Sequence, residues 1–130
     1  MMGDDCGIMN VEKERSVLVR TKAFALRIVR LYVALPKTTE AQVLGKQVLR
    51  SGTSVGAHVR EGKRARSDAE MISKIEGGLQ ELEETVYWLE LLIEAEIVPA
   101  ERLHDLLAEA DELTAILVTS AKTLKPRRSK

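Results

Sequence analysis

Between residues 72 and 93, apolar side chains recur at alternating steps of three and four: Ile72, Ile75, Leu79, Leu82, Val86, Leu89 and Ile93. A strand turns every second side chain to one face, so this spacing does not suit a sheet. A helix of about 3.6 residues per turn brings all seven to one side. A seam sustained over three heptads needs another helix to cover it, as in a coiled coil. Ser67, just ahead of the seam, begins a capping box with Glu70: the hydroxyl caps the helix start and the carboxylate reaches back to the cap residue. Glu76, Glu83 and Glu90 repeat every seven residues on another face, and are expected to be solvated or to meet a partner's cations.

The same test divides the remainder. Phe24, Ile28, Leu31 and Leu35 predict a first helix over residues 12–35, stopped by Pro36 because proline disfavours the α conformation in the residue before it. Thr39 is placed to cap a second helix reaching Lys63, with Val43, Val48, Leu49, Val55 and Val59 as its buried stripe. Gly45, Gly52 and Gly56 interrupt this helix, each costing up to ~1 kcal/mol against alanine. Their presence points to a neighbouring backbone in close approach; a break near residues 51–56 is the competing reading. Pro99 suits the first turn of a fourth helix, whose core stripe is Leu103, Leu106, Ala110, Leu113, Leu117 and Ala121.

Short connections between long helices favour antiparallel neighbours. Aromatics are only 3% of residues, so the core has to be built from Leu, Ile, Val and Ala. The expected fold is all-α, an antiparallel up-down-up-down four-helix bundle over residues 12–124. A disordered arm (1–11) precedes it and a basic tail (125–130) follows.

The formal net charge is zero, but the charges are segregated. Residues 11–74 hold 14 Lys/Arg against 6 Asp/Glu, whereas residues 75–121 hold 1 against 12. Such separation serves a basic face for a polyanion or the assembly of basic against acidic faces, if the two are not simply solvated. Cys6 is the only cysteine, which leaves no disulfide framework. No apolar run approaches the ~18 residues needed to span a bilayer, and no charged-then-apolar leader is present. A cytoplasmic location without membrane attachment is expected.

Catalytic constellations are wanting. His58 and His104 stand far apart, and neither has the Glu-x-x-His spacing of di-iron bundles, so no metal or other cofactor is expected. The glycines of Arg50-Ser51-Gly52-Thr53-Ser54-Val55-Gly56 lie inside a helical pattern with no strand before them, unlike a phosphate-binding loop. Ser54 and His58 are neighbours at i, i+4, but no oxyanion donor set accompanies them. The chain reads as a non-enzyme. Polar groups between helices have a different use. If the second and third helices turn near residues 65–66, Arg50 stands level with Glu81, and Gln47 with Glu84. That predicts an ion pair from Arg50 to Glu81 or Glu84, setting register more than stability. Tyr87 and Trp88 are expected to pin the other end with their polar tips hydrogen-bonded.

Several stretches together resemble one known pattern: Phe24-Ala25-Leu26-Arg27-Ile28, Gln47 to Ala57 around Arg50-Ser51-Gly52-Thr53-Ser54, then Glu61, Ser67, and Glu84-Thr85-Val86-Tyr87-Trp88-Leu89-Glu90-Leu91-Leu92. The chain is similar over residues 20–124 to the bacterial four helix bundle protein family, whose founding members are encoded in intervening sequences of large-subunit ribosomal RNA genes. The resemblance implies an up-down bundle that associates into a homopentamer. A relative of that family, the accessory variability protein of diversity-generating retroelements, binds nucleic acid and a reverse transcriptase as such a pentamer. This chain departs from the pattern in having His58 where the family usually has Asn and Gln80 where it often has Lys. It is also neutral overall, whereas the retroelement relatives are strongly basic.

Two functional expectations follow. In the first, a homo-oligomer presents a basic surface to RNA or DNA through Arg20, Arg27 and Arg30 on the first helix and Arg60, Lys63, Arg64 and Arg66 at the end of the second. Lys125, Arg127 and Arg128 of the tail join them. No aromatic is interleaved with these cations to stack bases. In the second, the charges are consumed between protomers, Arg27 or Arg30 of one meeting Glu83 or Glu90 of the next, and the assembly is a scaffold for a protein such as a reverse transcriptase.

Overall fold

The computed structural model describes the backbone of residues 2–128 and the side chains of residues 17–125. It consists of α1 (Met2–Ala34), α2 (Thr39–Lys63), α3 (Asp68–Glu94) and α4 (Ala100–Arg128). Each helix packs on the next in sequence and α4 returns to α1, while among the described residues the backbones of the diagonal pairs α1–α3 and α2–α4 do not come close. This is the antiparallel four-helix bundle, with the α1–α4 seam the sparsest of the four. Phe24, Ile28, Val48, Val55, Ile72, Leu82, Leu89, Leu92, Leu113 and Leu117 fill its centre.

Helix ends follow local chemistry. Thr38, not Thr39, caps α2, its side chain accepting from Ala41 N at 3.4 Å; Ser67 caps α3, accepting from Glu70 N at 3.1 Å. α3 closes on Glu96, whose φ of 61° is left-handed, with Ile97 N donating to Leu92 O at 3.0 Å. α1 begins upstream of the start expected at residue 12, and α4 continues to Arg128, past the expected start of the tail. Apolar periodicity marks the packed part of a helix and does not fix where its backbone starts or stops. The side chains of residues 1–16 and 126–130, on which the arm and most of the tail fall, lie outside the described residues.

The buried face of α3 is rotated from the one the apolar pattern defines. Ile75, Gly78, Leu82, Thr85, Leu89 and Leu92 are buried at steps of three and four, whereas Leu79, Val86 and Ile93 are only half-buried. The cause is close packing against α2. Gly78 lets the backbone of Val55 approach, and Thr85 hydrogen-bonds Ser51 at 2.8 Å; neither registers as apolar. On α2, Val43 is exposed and Leu49 half-buried, while Gly45, Ser51, Gly52 and Gly62 take buried places. α2 is continuous through residues 51–56, and Gly45, Gly52 and Gly56 face α1, whereas Gly62 faces α3: a Cβ on Gly52 would fall 2.7 Å from Ile28 Cγ1, and one on Gly45 2.6 Å from Leu35 Cδ1.

Candidate nucleic-acid interface

Whether a cation is available to a ligand depends first on whether the fold already pairs it. Arg20 is paired. Its Nε and Nη2 donate to the two oxygens of Glu109 at 3.0 and 2.8 Å, and Nη2 also reaches Glu112 at 3.0 Å. Hydrogen bonding by Arg20, opposed by desolvation, holds the Glu109 carboxyl below its ordinary range, and the charge of Arg27 adds to this. Arg20, expected among the phosphate contacts, instead ties α1 to α4. Across this seam, as between α2 and α3, the segregated charges meet within one chain; the α1–α4 pairing is the one the sequence expectations did not include.

Arg50 bridges α2 and α3. Its Nη1 donates to Glu81 at 3.1 Å, its Nη2 to Glu84 at 2.6 Å, and its Nε to Gln47 at 3.4 Å. These bonds, that to Glu84 foremost, raise the guanidinium pKa further. Lys74 meets Glu61 at 3.2 Å on the same pair of helices. At the other end of α3 the aromatic expectation needs correction: Tyr87 is exposed and stacks edge-on with Trp88 at 5.1 Å, while the buried Trp88 Nε1 has no hydrogen-bond partner among the described residues.

Lys125 meets Glu76 at 3.1 Å, which lays the end of α4 beside the start of α3. The final turn of α2, the α2–α3 turn and the end of α4 therefore share one end of the bundle. There Arg60, Arg64 and Arg66 are exposed, and none has a carboxylate partner among the described residues. Lys63 is half-buried and engaged. Glu61, Asp68 and Glu70 are the acidic residues nearest in sequence, and of these Glu61 is bound to Lys74. Arg127 and Arg128 belong to α4 by their backbone, their side chains lying outside the described residues. Helix C-termini carry partial negative charge, which favours cations at the ends of α2 and α4.

Arg30 is exposed and Arg27 half-buried on α1; Glu83 and Glu90 are exposed on α3. α1 and α3 are diagonal, so these groups do not come together within the chain. His58 Nδ1 donates to Ser54 O at 3.0 Å and its ring edge packs on Gly77. Ser54 Oγ is spent on Arg50 O at 2.7 Å, so the two side chains make no nucleophile–base pair. Among the described residues, no three His, Cys, Asp or Glu side chains are grouped so as to hold a metal ion, and no helix is long and apolar enough to cross a membrane. Shallow grooves include one of about 280 Å³ between α1 and α2 and one of about 330 Å³ on the α3–α4 side. Lys22, which the sequence reading passed over, stands with Arg60 at the first of these.

A four-helix bundle with inter-helix Arg–Glu bridges, and with Arg60, Arg64 and Arg66 unpaired at one end among the described residues, defines a class of small all-α bundle proteins. Within that class, residues 13–119 match the 23S rRNA-intervening sequence protein model, and the chain belongs to that family. It is similar to a solved structure from Bacteroides thetaiotaomicron, described as a protein of unknown function from the S23 ribosomal protein family. The two share 40% identity and a TM-score of 0.80, over 85% of this chain and 98% of that one. Among curated proteins, none matches.

Proposed function

We propose that this protein is a non-enzymatic, cytoplasmic homo-oligomer, a pentamer by its family resemblance, that binds RNA or DNA through the basic end of the bundle. The observation that carries the reading is the set of exposed guanidinium groups of Arg60, Arg64 and Arg66, unpaired among the described residues, at the end to which α4 also brings Lys125. Phosphates need only such cations, and each phosphate neutralised adds about 0.9 to the slope of log K against log salt for duplex DNA. Titration against structured RNA and duplex DNA at low and physiological salt tests it. Binding that weakens steeply with salt, and is lost in Arg64→Glu with Arg66→Glu, is the expected result; no binding at low salt overturns it. Sedimentation or light scattering gives the assembly, five times the 14.5 kDa chain mass being expected.

A second reading, a scaffold for a protein partner such as a reverse transcriptase, is favoured by exposed Val19, Leu26, Val29 and Val33 on α1. In that reading the exposed Arg30, with Arg27, pairs with Glu83 or Glu90 of the neighbouring protomer, and the apolar face is left for the partner.

A further inference from the structure

From Arg15 to Arg60 the chain contains a single carboxylate, Glu40, so this part of the α1–α2 hairpin is almost free of acid, with Glu12, Glu14 and Glu61 just outside it. Along α1, Val19, Lys22, Leu26, Val29 and Val33 follow one another at steps of three, four, three and four, the spacing that elsewhere builds the core. Here the spacing faces outward: Val19 is 66% exposed, Leu26 46% and Val33 68%. Beside this seam runs the groove of about 280 Å³ whose floor is made of small residues, Ala25, Gly56 and Ala57, with Lys22 and Arg60 as its charged lining among the described residues. A heptad-spaced apolar seam next to a trough of small residues is the surface on which another helix packs. The cations select an acidic one.

We propose that the α1 seam and the α1–α2 trough beside it together dock an acidic amphipathic helix of a partner protein, its apolar face on Leu26 and Val29 and its flanking Asp or Glu residues on Lys22 and Arg60. The interval from Val19 to Val33 would accommodate about four turns of such a helix, roughly 21 Å. This deepens the scaffold reading and does not lean on the nucleic-acid one. A phosphate backbone has no apolar face to cover Val19, Leu26 and Val33, and no aromatic side chain lines the trough to stack a base.

The test uses the full chain and two synthetic helical peptides of about 18 residues. Both carry leucines at three-four spacing; one is flanked by glutamates and the other by lysines. Fluorescence anisotropy is expected to show the glutamate peptide binding and the lysine peptide binding at least about tenfold more weakly. Ala57→Glu, an exposed change in the trough floor, is expected to abolish binding, and Arg102→Glu on α4 to leave it unchanged. Circular dichroism checks that Ala57→Glu folds, with Lys22→Glu as a second variant. Equal binding of the two peptides, binding of neither, or indifference to both trough variants overturns the proposal. So does conversion of an assembly to single chains by Ala57→Glu, which assigns the trough to a second copy. Loss of phosphatidylglycerol-vesicle or duplex-RNA binding in the same variant, without effect on the peptide, equally overturns it. Arg64→Glu with Arg66→Glu lies beyond the trough, so failure of the nucleic-acid reading leaves peptide binding intact.

Discussion

Ile28 and Gly52 occupy complementary space across the α1–α2 seam: a Cβ on Gly52 would lie 2.7 Å from Ile28 Cγ1 and 2.9 Å from Cγ2. Ile28 is fully buried and β-branched, so it has no rotamer into which to retreat. Gly52→Ala is expected to lose more through overpacking than the ~1 kcal/mol it gains in helix propensity, for a net destabilisation of about 1–2 kcal/mol. Gly77→Ala is the control. Its Cβ would meet His58 Cδ2 at 2.5 Å, but that ring is half-buried and is the far end of its side chain, so it can swing outward by exchanging its bond to Ser54 O for water. Urea unfolding should place Gly77→Ala within about 1 kcal/mol of the parent.

The Arg20–Glu109 bridge makes stability depend on acidity. The folded-state pKa of Glu109 lies below its unfolded value, so its contribution is present above the ordinary glutamate value of about 4.3 and fades as pH falls through the lower, folded value. Melting temperature followed from pH 6 downward (a range set by the ~4.3 reference) should fall less steeply in Glu109→Gln than in the parent. Parallel curves would show that the bridge adds no net stability.

Ser51 and Thr85 are buried, and Thr85 Oγ1 stands 2.8 Å from Ser51 Oγ and 2.8 Å from Glu81 O. Thr85→Val deprives the Ser51 hydroxyl of that partner and should cost about 1–2 kcal/mol. Adding Ser51→Ala removes the orphan, so the double variant should be more stable than the sum of the single effects, as a double-mutant cycle would show.

Glu96 holds φ at 61°, where a side chain crowds its own backbone. Glu96→Gly should raise stability by up to about 1 kcal/mol by thermal or urea unfolding. Destabilisation instead would mean that the Glu96 side chain makes a contact that outweighs the strain.

The fold was legible because helices announce themselves by period: every residue of the expected α4 stripe, from Leu103 to Ala121, is buried. The register of Arg50 against Glu81 was legible too, since a hairpin turn fixes which residues share a height. The buried arc of α3 was not, because glycine and threonine do the packing there. Nor was the fate of Arg20. Sequence distance says nothing of which helix closes the ring, and Glu109 lies 89 residues away. The basic end became visible only when Lys125 was found beside Glu76, joining two cationic segments far apart along the chain.

Three of the four helix–helix seams join consecutive elements, and only α1–α4 links parts remote in sequence. Folding can therefore proceed by hairpins, each needing only a short loop closure, which favours a fast reaction. Joining α1 to α4 is then the last event and the first to be undone. In kinetic terms Arg20→Met should accelerate unfolding and leave the folding rate almost untouched.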